Sequence, residues 1–140
     1  MDHTIERVVD LLDPSGNRIY NMSVEEARQR VLSGKPEAVR DVDGSFALLA
    51  REGKTIRMAR SLDRPMRYFL AKRQEGPALI VADRIDTLYN QLKAEGLDNQ
   101  FHPSYTRMVP AHYVTEITTR WLPRPRSDLH ALFQIGRAHV

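Results

Sequence analysis

Residues 43–68 constrain the fold more than any other part of this chain. Phe46, Leu48 and Ala50 alternate with Ala47 and Leu49, so a strand here is apolar on both faces. Glu52-Gly53 breaks the run, and glycine accepts the positive φ that a tight reversal needs. Ile56 and Met58 then alternate around Arg57, which predicts a returning strand and therefore a β-hairpin. A turn must follow Arg60, because Pro65 fixes φ and cannot donate to a sheet ladder. Residues 66–71 are expected to be extended again.

The flanking segments supply the rest of an α+β pattern. Ile5, Val8, Val9 and Leu12 fall at helical spacing, and Asp13-Pro14-Ser15-Gly16-Asn17 is a turn cluster. Residues 18–22 suit a short extended piece. Ser23 and Glu26 form a capping box ahead of a helix whose apolar side carries Ala27 and Val31, ended by Gly34 and Pro36. Residues 78–82 are a continuous apolar strand. Asp83 is a candidate N-cap for a helix over 85–94, with Ile85, Leu88, Tyr89 and Leu92 on one face and Gly96 at its end. A last strand is expected over 112–118, where β-branched and aromatic residues dominate.

Composition removes several classes of function. The chain has 140 residues, which suits one domain with a substantial core. It has no cysteine, so disulfides, thiolate metal sites and a cysteine nucleophile are excluded within it. Its acidic N-terminal segment lacks a cleavage motif, and a cytoplasmic location is the default expectation. No apolar run approaches the ~20 residues of a membrane helix. The pI of about 9.4 invites a nucleic-acid reading. The charge distribution opposes it, because residues 1–119 balance. The net charge of +3 comes from Arg120, Arg124, Arg126 and Arg137 against Asp128, all beyond that region. Neither a nucleic acid nor a membrane is therefore expected as a partner. Residues 121–140 are Pro- and Arg-rich at first, and Ile135-Gly136-Arg137-Ala138-His139-Val140 resembles the conceptual translation of a sequencing-library adapter. This segment is expected to be a disordered or artefactual tail on a domain spanning 1–120.

Four pieces, in order, resemble the second half of the glutaminase domain of asparagine synthetases. They are Asp43-Gly44-Ser45-Phe46-Ala47, Ala59-Arg60 followed by Pro65-Met66-Arg67-Tyr68, Val81-Ala82-Asp83-Arg84 leading into a helix, and Val109-Pro110-Ala111-His112-Tyr113. The resemblance covers roughly 80 residues, a typical fraction of one domain. It implies a partial Ntn-hydrolase-like (class II glutamine amidotransferase) sandwich, an antiparallel sheet with helices on one side. Asp43, Gly44, Phe46, Pro65, Tyr68, Pro110, His112 and Tyr113 would be its structural motif residues.

The same resemblance argues against glutamine hydrolysis. The family attacks glutamine with an N-terminal cysteine, whereas this chain opens Met1-Asp2-His3. The family's Arg-His-Arg-Gly and Asn-Gly-Glu elements, which hold the substrate carboxylate and the oxyanion, are absent. Where the family places an acid against the substrate ammonium, this chain has Ser61, with Asp63 two positions on. Arg60, Ser61 and Asp63 are thus vestigial substrate-binding positions, and no catalytic residue is assigned. The implied role is that of a non-catalytic N-terminal fragment of an asparagine-synthetase-like, ATP-dependent amide ligase. ATP and Mg2+ would belong to a synthetase domain outside this chain, and the expected partner is that domain or a second copy. The alternative is a stand-alone, non-enzymatic interaction module that pairs through a sheet edge.

Other constellations have simpler explanations. His102 and His112 match no metal-ligand spacing. Asp83 and Asp86 fit a cap and a solvated first helical turn. Gly34, Gly44 and Gly53 form no phosphate loop, and Tyr68 and Phe69 read as core aromatics.

Overall fold

The computed structural model describes residues 3–5, 7–53, 55–111, 113–121 and 133–139. In chain order its elements are β1 (His3–Thr4), β2 (Arg7–Asp10), β3 (Arg18–Ile19), α1 (Val24–Leu32), α2 (Pro36–Arg40), β4 (Gly44–Ser45), β5 (Ala47–Glu52), β6 (Thr55–Arg60), β7 (Arg67–Ala71), β8 (Ala78–Ala82), α3 (Ile85–Ala94), β9 (Arg107–Met108), β10 (Tyr113–Trp121) and β11 (Phe133–His139). One sheet runs β1-β10-β6-β5, with β11 also on β10. A second runs β2-β8-β7-β9, and β3 pairs with β4 alone. The described pairings are antiparallel except β2–β8, which is parallel.

The hairpin forms as its alternation predicts. Ala47 pairs with Arg60 and Glu52 with Thr55, and Gly53 turns the chain at φ 60°. The two apolar faces of each central strand then decide the architecture. Ala47, Ile56, Met58 and Ile117 of the first sheet meet Tyr68, Leu70, Leu79 and Val81 of the second. The opposite face of the first sheet, with Leu48, Ala50 and Ala59, packs under Ala27 and Val31 of α1 and Val39 of α2. The opposite face of the second sheet, with Phe69, Ala71, Ile80 and Ala82, packs under Leu88 and Leu92 of α3. The order of layers is helix, sheet, sheet, helix. Strands that are apolar on both faces need a covering layer on each side, and this order supplies one.

Several local expectations change. Helices cover both outer faces, not one, because both sheets bury both of their faces. The segment with helical spacing near the N-terminus is strand: Val8 and Leu12 pack between the sheets while Val9 and Leu11 pack toward α3. Neighbours on opposite faces are the mark of extended chain. Ser23 does cap α1, accepting from the Glu26 N–H at 3.0 Å. Asp83 does not cap α3. The N-cap is Arg84, without a side-chain cap bond, and Asp83 is turned to Arg64 instead. Phe133–His139, assigned by its sequence to the tail, pairs with β10 as β11. His112 and residues 122–132 lie outside the described residues. No helix among the described residues is long and apolar enough to cross a membrane.

Candidate functional site: a cavity at the end of the hairpin

The turn after β6 is held by one guanidinium. Arg60 is the last residue of β6, so its side chain stands where the sheet ladder ends. Its Nε donates to the Val109 carbonyl, and its Nη1 donates to the carbonyls of Ser61 (3.3 Å), Leu62 (3.2 Å) and Arg64 (3.1 Å). The Val109 N–H in turn donates to the Met66 carbonyl at 2.8 Å. A planar fork with five N–H groups can serve carbonyls that face different ways; an ammonium cannot do so with the same geometry. Burial, and the charge of Arg67 nearby, push the Arg60 pKa down.

Ser61 and Asp63 close the other side of the turn. The Phe46 N–H donates to Ser61 Oγ at 2.9 Å, and Ser61 Oγ donates to Asp63 Oδ1 at 2.6 Å. Ser45 Oγ donates to Asp63 Oδ2. The Ser45 hydroxyl, and after it that of Ser61, hold the Asp63 carboxyl below its ordinary pKa, because both bonds favour the charged form. Both carboxylate oxygens are therefore occupied within the turn.

A cavity of about 230 Å³ opens beside this turn. Val39 and Arg40 of α2, Val42, Gly44, Phe46, Arg60, Ser61, Leu62 and Tyr113 line it. Gly44 is required here. Its φ is 135°, and a Cβ would lie 2.0 Å from the Arg18 carbonyl oxygen, so a side chain would force β3 and β4 apart.

The fold thus gathers Gly44, Phe46, Arg60, Ser61 and Tyr113 at one place, with Asp63 joined through Ser61. Asp43 stands just outside, its N–H donating to Asn21 Oδ1 at 3.0 Å and its carbonyl accepting from Tyr20. Pro65 is exposed and Pro110 half-buried. Tyr68 is in the layer between the sheets. His112 falls outside the described residues. Arg40, Val39 and Val42 were not marked by the sequence, because a five-residue helix carries too little periodicity to reveal its inner side.

Other polar groups that stand out in the sequence lie away from the cavity wall. Arg64 reaches Asp83 at 3.4 Å, Asn17 Oδ1 at 3.1 Å and the Asp13 carbonyl at 3.3 Å. It ties the end of β8 to the turn before β3. Asp86 pairs with its neighbour Arg84 at 2.9 Å, so Asp83 and Asp86 serve different partners. His102 accepts from the Ser104 N–H at 3.2 Å in an exposed turn. No group of three or more His, Cys, Asp or Glu side chains suited to a metal gathers among the described residues. Comparison of the chain with models of protein families, with curated proteins and with solved structures returns no match.

Proposed function

We propose that this chain is a non-catalytic, glutaminase-like domain of an ATP-dependent amide ligase of the asparagine-synthetase kind. Its role is to dock on a synthetase domain and present a scaffold to it. One observation carries the reading. The position where the resembled family holds an acid for the substrate ammonium is Ser61, and Ser61 is bonded into its own turn through Phe46 and Asp63. Asp63, two positions on, is turned to Ser45 and Ser61, each of which donates to one of its oxygens. The absence of any cysteine removes the family's nucleophile as well.

Two packed sheets between helical layers support the finer assignment to an Ntn-hydrolase-like sandwich. The partner is the synthetase domain of the same polypeptide or a second copy, the setting is the cytoplasm, and ATP with Mg2+ acts in the synthetase domain. The test uses protein expressed from the full reading frame that contains this sequence, supplied with aspartate, ATP and Mg2+. Ammonium should support pyrophosphate release, and glutamine should yield no glutamate. Glutamate release would sink the non-catalytic assignment. Absence of pyrophosphate with either nitrogen source would sink the ligase assignment.

A further inference from the structure

The geometry points to the cavity at the end of the hairpin as a binding site for a small organic carboxylate with an apolar body, its charge held by Arg40 and Arg60. Two guanidinium-bearing residues line the cavity and no acidic residue does. The carboxylates nearby in sequence are already engaged. Asp41, next to Arg40, pairs with Arg30 at 3.7 Å. Asp63 accepts from the hydroxyls of Ser45 and Ser61 and does not line the cavity. Arg60 donates only to main-chain carbonyls among the described residues, which are neutral, so its charge is left without a counter-ion. Arg40 is exposed and takes part in no ion pair among the described residues.

The rest of the wall sets the class of ligand. Val39, Val42, Phe46 and Leu62 are apolar. A bare inorganic anion would leave these side chains in contact with its hydration shell. A carboxylate with an apolar body matches charge to the guanidinium side and hydrocarbon to the remainder. At about 30 Å³ of liquid volume per water, the space equals roughly eight waters, the scale of a small organic acid. The site shares Arg60 and Ser61 with the positions that the family resemblance marks as vestigial, but it rests on the cavity and its charges, and carboxylate binding is measured separately from glutamine hydrolysis.

The test is a titration of the isotope-labelled full chain with phenylacetate, followed by amide chemical shifts. Phenylacetamide and inorganic phosphate serve as comparison probes. Phenylacetate should shift the amides of Gly44, Ser61, Leu62 and Tyr113. Phenylacetamide, which keeps the shape and loses the charge, should bind at least about tenfold more weakly, and so should phosphate. Arg40→Glu should weaken phenylacetate by about tenfold or more while the rest of the spectrum stays that of the folded chain. The proposal is overturned if no shift appears up to about 10 mM, a concentration at which even a weak specific site is populated. Equal binding of phenylacetamide, equal binding of phosphate, or an Arg40→Glu chain that binds as before would overturn it too.

Discussion

The two outer faces of the sandwich are covered by helices in different ways. Under α1 and α2 most of the buried side chains are small, among them Ala27, Val31, Val39, Ala50 and Ala59, with Leu48 and Phe46 the larger ones. Under α3 large side chains predominate, with Ala71 and Ala82 the small ones. Leu88 and Leu92 lie on Phe69 and Ile80, and Phe101 stacks on Phe69 with centroids 6.3 Å apart while meeting Tyr89 edge-on at 5.1 Å. Polar bonds compensate on the first face. Ser23 caps α1, and Arg57 donates both to the Leu32 carbonyl at its far end and to Glu116 on β10. On the second face α3 has no side-chain cap. The directed contact of α3 lies at its other end, where Arg7 of β2 pairs with the C-cap residue Glu95 at 2.6 Å. The 230 Å³ cavity opens beside the layer under α1 and α2, sharing Val39, Val42 and Phe46 with it.

That contrast makes graded predictions. Leu88→Ala should cost about 2–5 kcal/mol in urea unfolding, because a well-filled layer cannot collapse around the void. Val31→Ala removes less buried hydrocarbon and should cost roughly 2 kcal/mol. Equal losses at the two sites would break the comparison. Ser23→Ala should cost about 1 kcal/mol by removing the cap. Arg84→Ser, at the uncapped start of α3, should be neutral or gain roughly 0.5 kcal/mol. A loss of stability in Arg84→Ser would mean that α3 depends on its terminus after all.

The smallest effect concerns pH. The Asp63 carboxyl is held below its ordinary value, chiefly by Ser45 and then by Ser61. A depressed carboxyl contributes stability that is fully present above its unfolded-state pKa, near pH 4, and disappears as pH falls through its folded-state pKa. Asp63→Asn should therefore flatten the acid side of the stability profile and leave its neutral-to-basic shape alone. An acid limb unchanged by the substitution would remove Asp63 from the account of the turn.

Much of this arrangement is legible in the sequence where the determinants are local. The hairpin, β8 and α3 follow from alternation, a turn glycine and a helical apolar face within a dozen residues. The N-terminal strands are not legible in that way. Val8 and Val9 fit a helix and a strand equally, and β2 pairs with β8, whose residues lie some 70 positions away (Val8 with Leu79). Asp83 reads as a cap because it precedes a helix, yet Arg64 claims it from another turn. At the cavity, Gly44, Phe46, Arg60, Ser61 and Tyr113 stand out through the family resemblance. Arg40 does not, because only the fold brings its short helix to the end of the hairpin.

The long-range pairing of the first strands bears on how the chain acquires its shape during synthesis. The β5–β6 hairpin closes over two residues and needs nothing made later. β1 and β2 are made first but pair with β10 and β8. They must wait on the ribosome, with Ile5, Val8 and Val9 uncovered, until most of the domain has emerged. β2 is held open until β8 is made and β1 until β10 is, whereas the hairpin has no such interval.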